Sequence, residues 1–187
     1  MSYRPDGYND MLGAIDSVPV GAAAWSVRQI GATGFLINWL DAGQNHYFQH
    51  LTQIDHTRYP GQALADLHLH YVLSTVPVAG NTILLDYAYT WAPIGQPIPL
   101  LAAWSSGTHT IPLAGTEVVN THYVRELFLN LAAPANDTYS SMFFFKCTRH
   151  SQGVGADTYA GNLGLLHLDA HIPVTRLGSA YHDGDTP

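Results

Sequence analysis

The stretch Leu165-Leu166-His167-Leu168-Asp169-Ala170-His171-Ile172 decides the fold class, because apolar and polar residues alternate along it. Successive side chains of a β-strand point to opposite faces of the sheet. One face is therefore predicted to carry Leu166, Leu168, Ala170 and Ile172, and the other His167, Asp169 and His171. A second run, Leu67-His68-Leu69-His70-Tyr71, alternates in the same way and places His68 and His70 on one face. The sequence thus predicts two half-buried strands with histidine-rich polar faces.

Short alternating segments fill most of the remaining sequence and are separated by residues that favour turns. Glycine (17) and proline (11) supply most of these breaks. We predict about nine strands, over residues 24–30, 34–40, 46–53, 66–74, 82–91, 109–113, 122–132, 141–148 and 163–174. A turn or two of helix is expected only around Asp10 to Ile15. This pattern favours an all-β fold, an antiparallel β-sandwich or barrel.

Three rows of apolar side chains are predicted to form the inner faces of two packed sheets. They are Ile83, Leu85, Tyr87, Tyr89 and Trp91; Leu127, Leu129 and Leu131; and Phe143, Phe145 and Cys147. The domain organisation follows from this strand pattern. Residues 1–33 are expected to be an irregular N-terminal arm, residues 34–178 the β-sandwich domain, and residues 179–187 a polar C-terminal tail.

The composition limits the classes of function. The chain has 187 residues, of which 47% are hydrophobic and only 11% charged, and its formal net charge is −7. An acidic chain lacks the basic footprint that nucleic-acid binding needs, and no apolar stretch is long enough for a membrane span. So few charges cannot cover a whole free surface. Much of the surface is therefore expected to be neutral polar, aromatic or covered by partners, which is a first indication of an assembly subunit.

The histidine-rich faces raise the question of a metal site. His68 and His70 share a face, as do His167, Asp169 and His171, and these residue types bind zinc, manganese or iron. The pattern of metal-binding cupins is not met, since no glutamate follows His70 at the required distance. The favoured interpretation is a polar strand face, or histidines gathered where chains meet around a symmetry axis. We therefore expect no metal or other cofactor.

Other catalytic arrangements are weaker. Cys147 follows an apolar run and is predicted to be a buried, inert thiol. The segment Trp104-Ser105-Ser106-Gly107 is predicted to be a turn, and Gly153–Asp157 a surface loop without phosphate-binding features. Candidate carboxylates for glycoside hydrolysis are Asp66, Asp86, Asp157 and Asp169, but their spacing pairs none of them. The sequence therefore does not predict an enzyme.

Aromatic residues in polar surroundings indicate a contact surface. Tyrosine and tryptophan give interfaces large contact areas at low entropic cost, although tyrosine is also common in strands. The residues predicted to lie at an interface are Tyr3, Tyr8, Trp25, Tyr47, Tyr59 and Tyr181.

The order of several short motifs is similar to that of a known group of proteins. The motifs are Trp25 and Trp39, His46-Tyr47-Phe48, Leu67-His68-Leu69-His70-Tyr71, Leu85-Asp86-Tyr87-Ala88-Tyr89-Thr90-Trp91, Lys146-Cys147-Thr148-Arg149, Asp157-Thr158-Tyr159-Ala160-Gly161, Leu165 through His171, and Arg176-Leu177-Gly178-Ser179. In this order the chain resembles small jelly-roll accessory virion proteins of tailed bacteriophages. The resemblance spans roughly Trp25 to Ser179, with Tyr71 standing where tryptophan would be expected.

The resemblance implies a jelly-roll sandwich that acts as a capsid cement or decoration protein, or as the base of a head spike. Such a protein is usually a homotrimer, binds the major capsid protein or other virion proteins, and sits on the capsid surface after assembly in the host cytoplasm. A neck, collar or tail-fibre adaptor or receptor-binding module is the alternative within the virion. A metal-dependent β-barrel enzyme using His68, His70, His167 and His171 is the alternative outside it.

Overall fold

A computed structural model describes residues 7–12, 14–19, 26–43, 45–53, 66–129, 141–150, 153 and 155–174. Over these residues the chain forms eleven strands and one short 3₁₀ turn, Leu101–Ala103. The strands are β1 Gly7–Leu12, β2 Ala14–Pro19, β3 Ser26–Gln29, β4 Leu36–Leu40, β5 His46–Gln53, β6 Asp66–Leu73, β7 Thr82–Ala92, β8 Ser105–Pro112, β9 Tyr123–Leu129, β10 Met142–Arg149 and β11 Leu163–Val174. No helix within the described part of the chain is long and apolar enough to cross a membrane.

The strands form two antiparallel sheets that pack face to face. Sheet A has the order β3-β4-β11-β6-β9, with β1 also paired to β11, and sheet B has the order β2-β5-β10-β7-β8. Four pairings are nested within one another: β4 with β11, β5 with β10, β6 with β9, and β7 with β8. The strands from β4 to β11 therefore follow the path of one long hairpin rolled into two layers. The predicted all-β sandwich is confirmed.

The N-terminal segment contributes three strands to these sheets. β1 pairs with the second half of β11, beyond the residues that pair with β4. β2 pairs with β5, and β3 pairs with β4. The helical turn expected around Asp10 to Ile15 is wrong, because residues on both sides of position 13 are in strands. The backbone groups of these residues form hydrogen bonds with the exposed edges of β11 and β5, and this pairing favours strands over a helical turn. Whether residues 1–33 also reach a neighbouring subunit stays a prediction.

The core lies between the two sheets and contains the predicted apolar rows. Phe143, Phe145 and Cys147 of β10 are fully buried or nearly so, and Ile83, Leu85 and Trp91 of β7 face them. Tyr87 and Tyr89 pack against this core at its margin. Leu127 is buried as predicted, whereas Leu131 lies outside the described residues. Two-residue periodicity therefore assigned the inner face of sheet B correctly.

A β-bulge interrupts the alternation of β11, where the register to β6 shifts between Leu165 and His167. Leu163 and Leu165 face the core before the shift, and Leu168 and Ala170 face it afterwards. Leu166 therefore does not share the core-facing row with Leu168, as strict alternation had predicted, because the extra residue of a bulge changes which side chains point inward.

The segment Trp104–Gly107, predicted to be a turn, is instead the start of β8 from Ser105 onward. Ser105 and Ser106 pair with Tyr89 and Ala88 of β7. Pairing with a long neighbouring strand outweighs the weak strand preference of serine and glycine.

Candidate functional site

Sheet A places His68, His70 and His167 on its outer face, and His70 is at the centre of their contacts. The Nε2 atom of His70 lies 3.0 Å from Oδ1 of Asp169, and its Nδ1 atom lies 2.8 Å from Nε2 of His122. The ring of His167 approaches the ring of His70 edge-on, with 5.9 Å between centroids. The register of β6 and β11 explains this cluster, because His70 is opposite His167 and His68 is opposite Asp169.

His70 contacts a carboxylate on one side and a second imidazole on the other. Nε2 of His70 lies within ion-pair distance of the Asp169 carboxylate, and a hydrogen bond joins Nδ1 of His70 to Nε2 of the exposed His122. Burial lowers the pKa of His70; the charge of Asp169 opposes this effect, and the neighbouring His122 and His167 add to it. The row Asp169–His70–His122 therefore links a buried carboxylate to the surface.

The described side chains of this cluster do not form a metal centre. Within the described ranges, no three His, Cys, Asp or Glu side chains are arranged to hold a metal ion. His68 lies on the same face as His70, whereas the side chain of His171 lies outside the described residues. The sequence did not indicate His122 as part of this cluster, although a strand was predicted to begin there; in the structure His122 directly precedes β9. Only the pairing of β6 with β9 brings it beside His70.

The candidate carboxylates contact basic side chains. Asp86 Oδ2 lies 2.5 Å from Nε2 of His150, and Asp157 pairs with Arg149. Asp169 contacts His70, as described above, and the side chain of Asp66 lies outside the described residues. Cys147 is fully buried, and burial raises the pKa of its thiol well above the usual value. A neutral, buried thiol is unreactive, as its apolar neighbours had predicted.

Arg149 is a buried structural residue, and all five of its N–H groups have acceptors. Nε and Nη2 donate to the two oxygens of Asp157 at 3.1 and 3.2 Å. Nη1 donates to the carbonyls of Leu40 and Gly161, and Nη2 also donates to the carbonyl of Tyr159. Arg149 therefore joins the end of β10 to the end of β4 and to the loop of residues 155–162.

This loop belongs to a group of connections at one end of the sandwich, here named the loop end: residues 30–35, 74–81, 113–122 and 155–162. Tyr159 accepts a hydrogen bond from the backbone N–H of Thr75 and donates one to its carbonyl. Backbone bonds join Gly80 to Leu113 and Asn120 to Leu73. A methyl group at Gly31 would lie 3.0 Å from Nδ2 of Asn120, so residues 30–35 also lie against this group. Hydrogen bonds therefore connect three of these four segments, and residues 30–35 pack against them at Asn120.

Polar side chains also fix individual turns of the loop end. The carboxylate of Glu117 accepts hydrogen bonds from the backbone N–H groups of Ala114 and Gly115 at 2.7 and 2.8 Å. Burial alone would raise the pKa of Glu117, but its backbone hydrogen bonds outweigh burial and lower it. Oδ1 of Asn81 accepts from the N–H of Val78 in the same way.

Large apolar side chains are exposed on these fixed loops. They are Phe35, Val76, Val78 and Val118, each with more than 60% of its surface accessible. Apolar side chains held in fixed positions toward solvent are typical of binding surfaces. The sequence did not indicate them, because isolated valines in loops form no periodic pattern.

A second feature lies on the outer face of sheet B, at the opposite end of β7. The connection from β7 to β8 returns over the sheet and places Trp104 against Phe144, with 6.2 Å between ring centroids. The indole N–H of Trp104 donates to the carbonyl of Pro99 at 2.9 Å. Two cavities of about 360 and 330 Å³ share Trp104 and Lys146 as lining residues.

Of the predicted interface aromatics, the structure describes the side chain of Tyr47 alone. Tyr47 is half-buried, and Nζ of Lys146 lies 4.1 Å from the centroid of its ring. Tyr8 is part of β1. Tyr3, Trp25, Tyr59 and Tyr181 lie outside the described residues. Their role in an interface stays a prediction.

No protein-family model matches the chain, and a search of curated proteins finds no significant match.

Proposed function

We propose that this chain is a structural virion protein of a tailed phage, a jelly-roll cement or decoration protein that binds across major capsid subunits. The observation that carries the proposal is the loop end, where hydrogen-bonded loops hold Phe35, Val76, Val78 and Val118 toward solvent. The nested strand pairing, which is the connectivity of a rolled hairpin, supports a jelly roll. The low content of charged residues supports a surface that partners cover.

The loop end is suited to binding a rigid lattice. Fixed loops lose little conformational entropy when they bind, so more of the contact energy contributes to affinity. Exposed valine and phenylalanine side chains would fill shallow depressions between capsid subunits. In a homotrimer, the second and third contacts would be intramolecular, which raises the overall affinity without new contacts. Such bridges would resist expansion of the filled head.

Light scattering on the purified chain, followed by cosedimentation with tailed-phage heads, tests the proposal. We expect a trimer that cosediments with mature heads. Val78→Asp and Val118→Asp should weaken cosedimentation by about tenfold or more, because each buries a charge in an apolar contact. Val27→Asp is the matched control, since Val27 is exposed on β3, outside the loop end.

Two results would refute the proposal. One is a stable, folded protein that neither self-associates nor binds heads. The other is binding that is equally strong in all three aspartate variants, since the loop end would then not be the contact surface.

A neck, collar or tail-fibre module is the second candidate. The cavities beside Trp104 favour it, because concave sites with aromatic walls and a few polar groups are typical of ligand binding. Cosedimentation with tails or necks in place of heads would support this alternative.

A further inference from the structure

The two cavities beside Trp104 share this tryptophan and Lys146 as lining residues, and together they are named the Trp104 site. The indole is held by its hydrogen bond to the Pro99 carbonyl and by its contact with Phe144. Residues 93–104, which carry this tryptophan, also expose Ile94, Ile98, Leu100 and Leu101. The tryptophan is therefore positioned by the fold before any ligand binds, which favours recognition.

The walls of the cavities differ in polarity. The larger cavity has mainly apolar walls, formed by Leu51, Phe144 and Trp104, with Gln49 and Lys146 beside them. The smaller cavity is more polar and is lined by Asp86, Ser106, Thr148 and Lys146, with Leu101 and Trp104. Both volumes, about 360 and 330 Å³, are within the range of small-molecule sites.

The charges of the site balance. Lys146 carries the one ammonium among the lining residues, and its Nζ atom lies 4.1 Å from the centroid of the Tyr47 ring. Asp86 carries the one carboxylate among the lining residues, and its side chain is 45% exposed although Oδ2 contacts His150. A ligand with a strong net charge of either sign would meet one repulsive partner, so the site favours a neutral ligand.

We propose that this site binds a neutral saccharide, with sugar rings packed against Trp104 and hydroxyl groups bonded to the polar residues around it. Sugar hydroxyls both donate and accept hydrogen bonds. The site offers a matching set, since Asp86 accepts, Lys146 donates, and Gln49, Ser106 and Thr148 do both. The apolar faces of sugar rings match the aromatic wall.

This saccharide site is independent of the proposed binding to capsids. The connection that carries Trp104 follows Ala92 at one end of β7, whereas the loop end adjoins Thr82 at the other. One protein could therefore lie on a particle through its loop end and present the saccharide site outward.

Binding of neutral oligosaccharides to the full chain tests the proposal. The probes are maltotriose, cellotriose, chitotriose and lactose, each followed by saturation-transfer NMR and by titration of tryptophan fluorescence. We expect at least one probe to bind saturably with a Kd of about 1 mM or lower. Trp104→Ala and Lys146→Met should each weaken that binding about tenfold or more.

Controls separate loss of the site from loss of the fold. Phe35→Ala removes an exposed aromatic ring at the loop end and should bind the sugar as the unmodified chain does. Ser106→Val, on the rim of the smaller cavity, is a milder variant that keeps strand β8 intact and should also weaken binding.

Three results would overturn the proposal. The first is that no probe binds, and the second is that Trp104→Ala and Ser106→Val bind the sugar as tightly as the unmodified chain does. The third is that an acidic peptide competes for the site. If Trp104→Ala loses sugar binding but still cosediments with phage heads, the saccharide site is distinct from the surface that binds capsids.

Discussion

At the scale of single residues, Arg149 shows how one side chain can fix several loops. It is completely buried, and its five N–H groups meet two carboxylate oxygens and three carbonyls. A buried charge is tolerated only when it is paired and hydrogen-bonded, and Asp157 supplies the opposite charge. The loop end therefore depends on a pair that lies below its surface.

Breaking this pair should be costly. Asp157→Asn or Arg149→Met should lower the free energy of unfolding by about 3–5 kcal/mol, because each leaves buried polar groups uncompensated. Arg28→Met is the control: Arg28 forms a 2.9 Å ion pair with Asp41, but its side chain is 54% exposed. Its loss should cost only about 0–1 kcal/mol. Chemical denaturation of the three variants measures these differences, and similar costs for all three would contradict this account.

His70 should make stability depend on pH. Its pKa is lowered in the folded chain, first by burial, so the unfolded chain binds protons more readily. The stability that His70 contributes is complete above its unfolded pKa of about 6.5, and is lost as the pH falls from there toward the lower, folded value. His109, whose pKa burial also lowers, acts in the same direction.

Thermal unfolding of the unmodified chain and of His70→Asn between about pH 7.5 and 5 tests this expectation. Asparagine keeps polar contacts but does not titrate, so the variant should lose less stability on acidification. A residual decline from His109 should remain. Equal declines in both proteins would show that His70 does not carry the effect.

At the scale of elements, β11 is held closely by the hairpin of β3 and β4. Gly164 lies where a side-chain carbon would stand 2.6 Å from Cδ1 of Ile37 and 2.7 Å from Cγ2 of Val72. Trp39 closes the same spot and donates its indole N–H to the Arg28 carbonyl at 3.1 Å. The absence of a side chain at Gly164 thus lets Ile37, Trp39 and Val72 pack closely over β11.

Gly164→Ala should therefore push apart the side chains of Ile37, Trp39 and Val72 that pack over β11. We expect a loss of about 1–3 kcal/mol, the usual cost of overpacking a filled interior. Gly43→Ala is the control, because a methyl group there meets nothing within 4 Å. Denaturant unfolding and amide exchange of β3 would show the difference. An unchanged stability in Gly164→Ala would mean that the hairpin repacks without strain.

The elements differ in how far the sequence could predict them. β5 and β11 have the bounds that the sequence predicted. β1 and β2 were missed, since their residues form no such run and only pairing with β11 and β5 orders them. The histidine face was predicted from spacing. Three other features depend on contacts between distant segments, which residue spacing does not reveal. They are the position of His122, the bulge that turns Leu166 away from the core, and the cavities beside Trp104.

At the scale of the whole molecule, the nested pairing joins segments far apart in the chain. β4 pairs with β11 and β5 with β10. Forming such contacts requires closing long loops before any packing energy is gained, so folding is slow. We expect refolding in milliseconds to seconds or more slowly, as measured by stopped-flow tryptophan fluorescence. Complete refolding within microseconds would contradict this topology as the determinant of the rate.

The strand order also bears on how the chain leaves the ribosome. The middle strand of sheet A is β11 and that of sheet B is β10, and both follow all the other strands along the chain. Translation therefore exposes the apolar faces of β4 to β9 before either sheet has its centre. The nascent chain should be a client of chaperones at the tunnel exit, and a stalled chain ending after β9 should aggregate rather than fold.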